Sequence, residues 1–142
     1  MEELQEKSLR HSPAAVEAAN NRTPFSDLDA TVKLALQCAD EKKAENLVVL
    51  DLREIVSFAE YFVIATGANQ RQVQAISDEI SEQLKKQLGS RAIRIEGYRG
   101  AEWVLLDYGD FIVHIFNADA REFYDLVRLW RDARRVELPA AA

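Results

Sequence analysis

Tyr61-Phe62-Val63-Ile64-Ala65-Thr66, then Gly67-Ala68-Asn69, then Gln70–Leu88 is the stretch on which the fold turns. The first six residues form a short apolar run rich in branched and aromatic side chains, the composition of a buried strand. Gly67-Ala68-Asn69 makes a turn. Beyond it Val73, Ile76, Ile80, Leu84 and Leu88 recur at spacings of three and four, which places them along one side of an α-helix, and Gly89 supplies its C-terminal stop. A strand, a turn and an amphipathic helix are therefore fixed at the centre of the chain.

Upstream, Leu47-Val48-Val49-Leu50 reads as a second buried strand. Before it, Leu28, Val32, Ala35, Leu36 and Ala39 lie at helical spacing, with Ser26 as the expected N-cap, Asp29 three residues on, and an end near Lys43. Downstream, residues 92–96 and 103–107 are candidate strands joined by Gly97-Tyr98-Arg99-Gly100. Residues 111–116 follow the turn Tyr108-Gly109-Asp110 and complete a hairpin. Asn117 and Asp119 can cap a last helix in which Phe123, Leu126, Val127 and Trp130 share one face. The order helix, strand, strand, helix, three strands, helix predicts an α+β fold, a mixed β-sheet with flanking helices.

The 142 residues, 48% hydrophobic and 30% charged, suit one packed core. Residues 1–25 are polar and carry few large apolar side chains, so they are expected to be a flexible tail; 26–136 form the domain, and 137–142 a C-terminal tail. With 24 acidic and 18 basic side chains the net charge is −6, which argues against general affinity for phosphate backbones and favours a cationic partner. A single cysteine, Cys38, allows no internal disulfide and makes the cytoplasm the default compartment. Neither a signal peptide nor an apolar run near the ~20 residues that cross a bilayer is visible, so no membrane partner is expected.

The turn at Gly67 lies between a strand and a helix, where backbone amides can hold an anion. It lacks the further glycines and the Lys-Ser or Lys-Thr pair of a phosphate loop, so a plain turn is the simpler reading. A nucleotidyltransferase reading needs two carboxylates one residue apart on the following strand, and that strand offers only Glu96. Asp107 and Asp110 fall on opposite sides of a turn: Asp110 is expected to stabilise the turn and Asp107 to end a strand in water. His114 in its apolar strand, His11 in the tail and Cys38 on the first helix have no catalytic or metal-binding companions, so no catalytic residue, metal or cofactor is expected. Trp103 leaves two readings open. Either Val104 and Leu106 point inward and Trp103 and Leu105 form an apolar surface stripe edged by Asp107 and Tyr108, or Trp103 is buried under the C-terminal helix.

These blocks resemble a known family. Tyr61 to Gly67, Arg71-Gln72-Val73 with Ala75-Ile76, Glu96-Gly97, the run Trp103-Val104-Leu105-Leu106-Asp107-Tyr108-Gly109-Asp110, Val113-His114-Ile115-Phe116, and Phe123-Tyr124-Asp125-Leu126 with Leu129-Trp130 are similar, in order and spacing, to the ribosomal silencing factor S, or Iojap, pattern over residues 29–136. The resemblance implies a nucleotidyltransferase-like fold without the catalytic carboxylates, and a binder rather than an enzyme. It implies attachment to the large ribosomal subunit through its protein number fourteen. The bound protein would hinder subunit joining and repress translation when nutrients are scarce. It further implies a docking surface with Trp103 and Leu105 as anchors and Asp107, Tyr108 and Asp110 as polar contacts, and a tendency to homodimerise. Outside residues 1–28, nineteen acids and fifteen bases leave a charge of −4, suited to a cationic ribosomal protein. The departures are Glu60, where the family has Asp, and Val127, where it is usually acidic; the second puts in doubt any role carried over to the last helix. The alternative is a nucleotidyltransferase-like nucleotide-binding enzyme.

Overall fold

The computed structural model describes residues 21–139; residues 1–20 of the flexible tail expected over 1–25, and residues 140–142 of the expected C-terminal tail, lie outside the described residues. Six strands run in the order β3-β4-β5-β2-β1-β6, with β1 Glu45–Asp51, β2 Tyr61–Gly67, β3 Arg94–Glu96, β4 Trp103–Asp107, β5 Phe111–Asn117 and β6 Arg134–Arg135. The β2–β5 pair is parallel and its neighbours are antiparallel, so the sheet is mixed as predicted. The central position of β2 explains its apolar run: all seven residues are buried, because both faces of the sheet are covered.

Two long helices cover one face, α1 (Ala30–Glu41) and α2 (Gln70–Leu88). Val32, Ala35 and Ala39 of α1 and Val73, Ile76, Ile80 and Leu84 of α2 pack on Val63, Val104, Leu106, Val113 and Ile115. Each fully buried aliphatic side chain of this kind contributes roughly 1.5–3 kcal/mol. The α2 boundaries match the sequence pattern. Asn69 accepts from the Gln72 N–H at 2.8 Å, and Gly89 closes the helix at φ 63°, where a side chain would be strained.

The other face carries Leu50, Phe62, Ile64 and Phe116, packed under Leu126, Trp130, Ala133 and the segment that contributes Leu52 and Ala59. Here the expected single last helix is two short ones, α3 (Ala118–Tyr124) and α4 (Leu126–Leu129). Asp125 stands between them in the left-handed region at φ 43°, ψ 58°, breaking the helical ladder. Phe123 and Trp130 consequently do not share a face: Trp130 is buried and Phe123 is 81% exposed.

Three further expectations are corrected. The first helix is capped by Asp29, whose carboxylate accepts from the Val32 N–H at 3.1 Å, not by Ser26, which belongs to a 3₁₀ turn over Phe25–Asp27. The described chain is already tied down at Thr23, inside the expected tail: its side chain donates to Asp51 at 2.5 Å and its amide to the Arg135 carbonyl at 2.9 Å. At the other end Val136 is buried, within the domain expected over 26–136, and the Glu137 N–H donates back to the Thr23 carbonyl at 2.9 Å, so the first residue of the expected C-terminal tail is held to the domain. No composition signal marks these, because one buried threonine and one valine do not make a hydrophobic pattern.

Candidate docking face

Strand alternation decides the orientation of β4. Val104 and Leu106 are fully buried under α1 and α2, and Trp103, Leu105 and Asp107 point the other way, each half-buried. Both readings of Trp103 hold in part. Its ring is partly covered by Tyr124 of α3 (centroids 4.6 Å apart) and backed by Phe116 (5.0 Å), yet it and Leu105 still meet solvent. Its indole Nε1–H donates to Nδ1 of His114 at 3.0 Å. His114 is thus a buried packing residue with a hydrogen bond, set edge-on against Phe62 at 4.6 Å, and burial pushes its pKa down to about 3. The imidazole is neutral, carries its proton on Nε2, and locks the tryptophan in place.

The turn before β4 fixes the strand's start. Gly97 sits at φ 77°, and a Cβ there would lie 2.1 Å from the Trp103 carbonyl oxygen, so only glycine fits. Side chains of α2 hold the same loop: Gln70 donates to the Arg99 carbonyl, Gln74 to that of Tyr98, and the Tyr98 hydroxyl donates to Asp78.

Asp107 lies at the rim of the stripe. One carboxylate oxygen accepts the Gly109 N–H at 2.8 Å and the other accepts from Arg94 of β3 at 3.3 Å. The turn is therefore stabilised by Asp107, the reverse of the expected division between Asp107 and Asp110. Asp110 is exposed, and its carbonyl accepts from the Glu60 N–H at 2.6 Å. Tyr108 is separated from the stripe. Its ring stacks on Phe111 at 4.9 Å and packs into the core beneath α1 and α2. Among the described residues its hydroxyl is buried without a hydrogen-bond partner, and burial, with a smaller push from Cys38, raises its pKa to about 12.

The sequence pattern did not disclose the remaining parts of this face. Arg94 and Glu96 lie across from Asp107 and Leu105 on β3 and complete a charged rim. Phe58 (56% exposed), Tyr124 (45%) and Phe123 extend the apolar area beyond Trp103, Leu105 and Ile112. Phe58 sits in an irregular segment without periodicity, and the two α3 aromatics reach the surface only because Asp125 breaks the helix, so no sequence rule finds them.

The other candidate groups are occupied structurally. At the Gly67 turn the Ala68 amide donates to the Gln72 side chain at 2.6 Å, Asn69 caps α2, and a Cβ on Gly67 would meet Val73 at 2.8 Å. The amides there are used by the chain itself. Burial, aided by Glu79 and Glu41, raises the Cys38 pKa to about 11, so its thiol stays protonated. Among the described residues no three His, Cys, Asp or Glu side chains gather into a metal set, and no helix is long and apolar enough to cross a membrane.

Comparison with known proteins is consistent with this arrangement. A family described as "Ribosomal silencing factor during starvation" matches residues 26–142. The ribosomal silencing factor RsfS of Halalkalibacterium halodurans is 44% identical over 107 residues, 75% of this chain and 91% of the relative. RsfS of Bacillus subtilis is 41% identical over the same length, 75% of this chain and 90% of its own. A crystal structure of a protein from Chromobacterium violaceum superposes with a TM-score of 0.69 at 31% identity, covering 79% of this chain and 89% of that one.

Proposed function

The chain belongs to the ribosomal silencing factor (RsfS, Iojap) family, and on that premise we propose that it is a non-catalytic binder that docks on the large ribosomal subunit through its protein number fourteen. Bound there, it blocks joining of the small subunit by steric occlusion and represses translation under nutrient limitation. The observation that supports this most is the half-exposed Trp103–Leu105 stripe on a hairpin whose opposite side is locked into the core. A rigid aromatic anchor with little rotamer freedom left to lose, bordered by charge, is how hot spots of protein interfaces are built. Asp107 gives that border an acid suited to a cationic ribosomal surface. Tyr108 supports the face from behind by holding the turn, and Asp110 stands exposed at its tip.

The test is co-sedimentation with purified large subunits, together with light scattering of subunit association. The wild-type protein pellets with large subunits and slows their pairing. The folded double variant Trp103→Ala, Asp107→Arg should stay in the supernatant. If that variant, with an unchanged circular-dichroism spectrum, pelleted as well as wild type, the docking face would be misassigned. If wild-type protein failed to pellet, the ribosomal reading itself would fall.

A further inference from the structure

At the opposite margin of the sheet from β3, an open cleft of about 490 Å³ lies between the start of β1 and α3. It lies beside the C-terminal end of β2, one strand of the parallel pair, and the end of the pair is where open α/β sheets place their ligand crevices. Its shape has a local cause. The β1–β2 register shifts between Glu45 and Val48, and Asn46 takes φ 49°, so the start of β1 bulges and opens the wall.

Two guanidinium groups face this cleft, Arg121 and Arg135. Arg121 is half-buried, and its Nη1 donates to the hydroxyl of Thr66, a buried residue of β2, at 2.8 Å, which fixes the side chain. Among the described residues neither arginine has a carboxylate within ion-pairing distance. Burial lowers the Arg121 pKa, the nearby Asp125 opposes this, and the like charge of Arg135 adds to it. A partly desolvated cation held beside a second cation, with no carboxylate of the described residues in an ion pair with either and only the longer-range charge of Asp125 to offset them, is stabilised by an added anion.

The rest of the lining says what the anion is attached to. Leu47, Val48 and Val127 give an apolar wall, and the carboxylates of Glu122 and Asp125 stand on the same rim as acceptors for hydroxyl or amino groups. An adjoining cleft of about 200 Å³ shares Leu47, Val48 and Arg135 and adds Arg22, a third cation. The combined size is that of a small-molecule site and not of a groove that tracks a polymer, and the net charge of −6 disfavours a polyanion. We propose that Arg121 and Arg135 bind the phosphates of a nucleoside phosphate, whose sugar hydroxyls meet Glu122 or Asp125 and whose base lies on Leu47, Val48 and Val127. This site shares α3 with the docking face but uses different residues of it, and it implies binding without catalysis.

The experiment is a calorimetric titration of the full chain, without metal, against ADP, inorganic phosphate, adenosine and a single-stranded RNA oligomer. ADP should bind, phosphate more weakly, and adenosine and RNA not measurably. Arg135→Gln, at an exposed position, should weaken ADP binding by at least about tenfold, the loss of one charge-assisted contact. Arg121→Gln should do the same if it folds; where loss of the Thr66 contact unfolds it, Arg135→Gln alone decides. Absence of ADP binding, unchanged affinity in Arg135→Gln, equal affinity for phosphate and ADP, or binding of RNA without ADP would each overturn the proposal.

Discussion

Acidification from pH 6.5 to 4.5 should remove about 2 kcal/mol of stability through one side chain, His114. The imidazole is buried, its Nδ1 accepts the Trp103 indole N–H, and Nε2 has no hydrogen-bond partner among the described residues. Burial depresses its pKa from the ordinary 6.5 to about 3. Well above pH 6.5 neither the folded nor the unfolded chain protonates it, so it leaves stability unchanged. Between 6.5 and about 3 the unfolded chain binds a proton that the folded one refuses, and stability falls with a slope that approaches 2.303RT per pH unit, about 2 kcal/mol from pH 6.5 to 4.5 because the unfolded imidazole is already half-protonated at 6.5. The assay is urea unfolding by circular dichroism at steps from pH 7.5 to 4.5. His114→Gln keeps an acceptor for Trp103 but cannot titrate, so its stability should be lower at pH 7.5 and nearly flat down to 4.5. Parallel curves for wild type and His114→Gln would refute the reasoning, since the proton would then be taken up elsewhere.

Asp51 acts in a lower window. Burial alone would raise its pKa, but hydrogen bonds from Arg53 and Thr23 outweigh burial and hold it below the ordinary 3.8, so its stabilisation is present above 3.8 and lost as pH falls through the folded value. Asp51→Asn should cost about 1–3 kcal/mol at neutral pH and flatten the unfolding curve below pH 4. Gly97→Ala should cost at least about 2 kcal/mol and shift the tryptophan emission, because the added methyl collides with the Trp103 carbonyl; a melting temperature within a degree of wild type would show that the turn relaxes freely. Leu106→Ala should cost about 2–5 kcal/mol without altering the exposed face, measured by the same urea unfolding.

The parts of the fold legible in the sequence are those where one residue pattern serves one environment. Val73, Ile76, Ile80 and Leu84 all meet the sheet, so their spacing gave α2 to the residue. The run at Tyr61 gave β2 because both of its faces are core. Legibility failed where a single side chain overrides the pattern. Asp125 enters the left-handed region and splits the last helix, and Thr23 is held by a carboxylate twenty-eight residues away. The candidate site divides in the same way. Alternation along β4 put Trp103, Leu105 and Asp107 on one face. It could not place Tyr108, which lies past the strand end and turns into the core to stack on Phe111. Arg121 and Arg135 come from distant segments and meet in one cleft only through the fold.

The clasp between Thr23 and Val136 also bears on how the protein forms. It joins the two ends of the described chain across 113 residues of sequence and lies against β1, while the central β2–β5 pair joins segments fifty residues apart. Pairings this distant carry a large loop-closure cost and are slow to form. The α1 and α2 helices and the β4–β5 hairpin, built from near neighbours, can assemble first. Val136 must then be synthesised before the sheet edge is sealed, so a nascent chain that has not yet reached it leaves β1 open to mispairing.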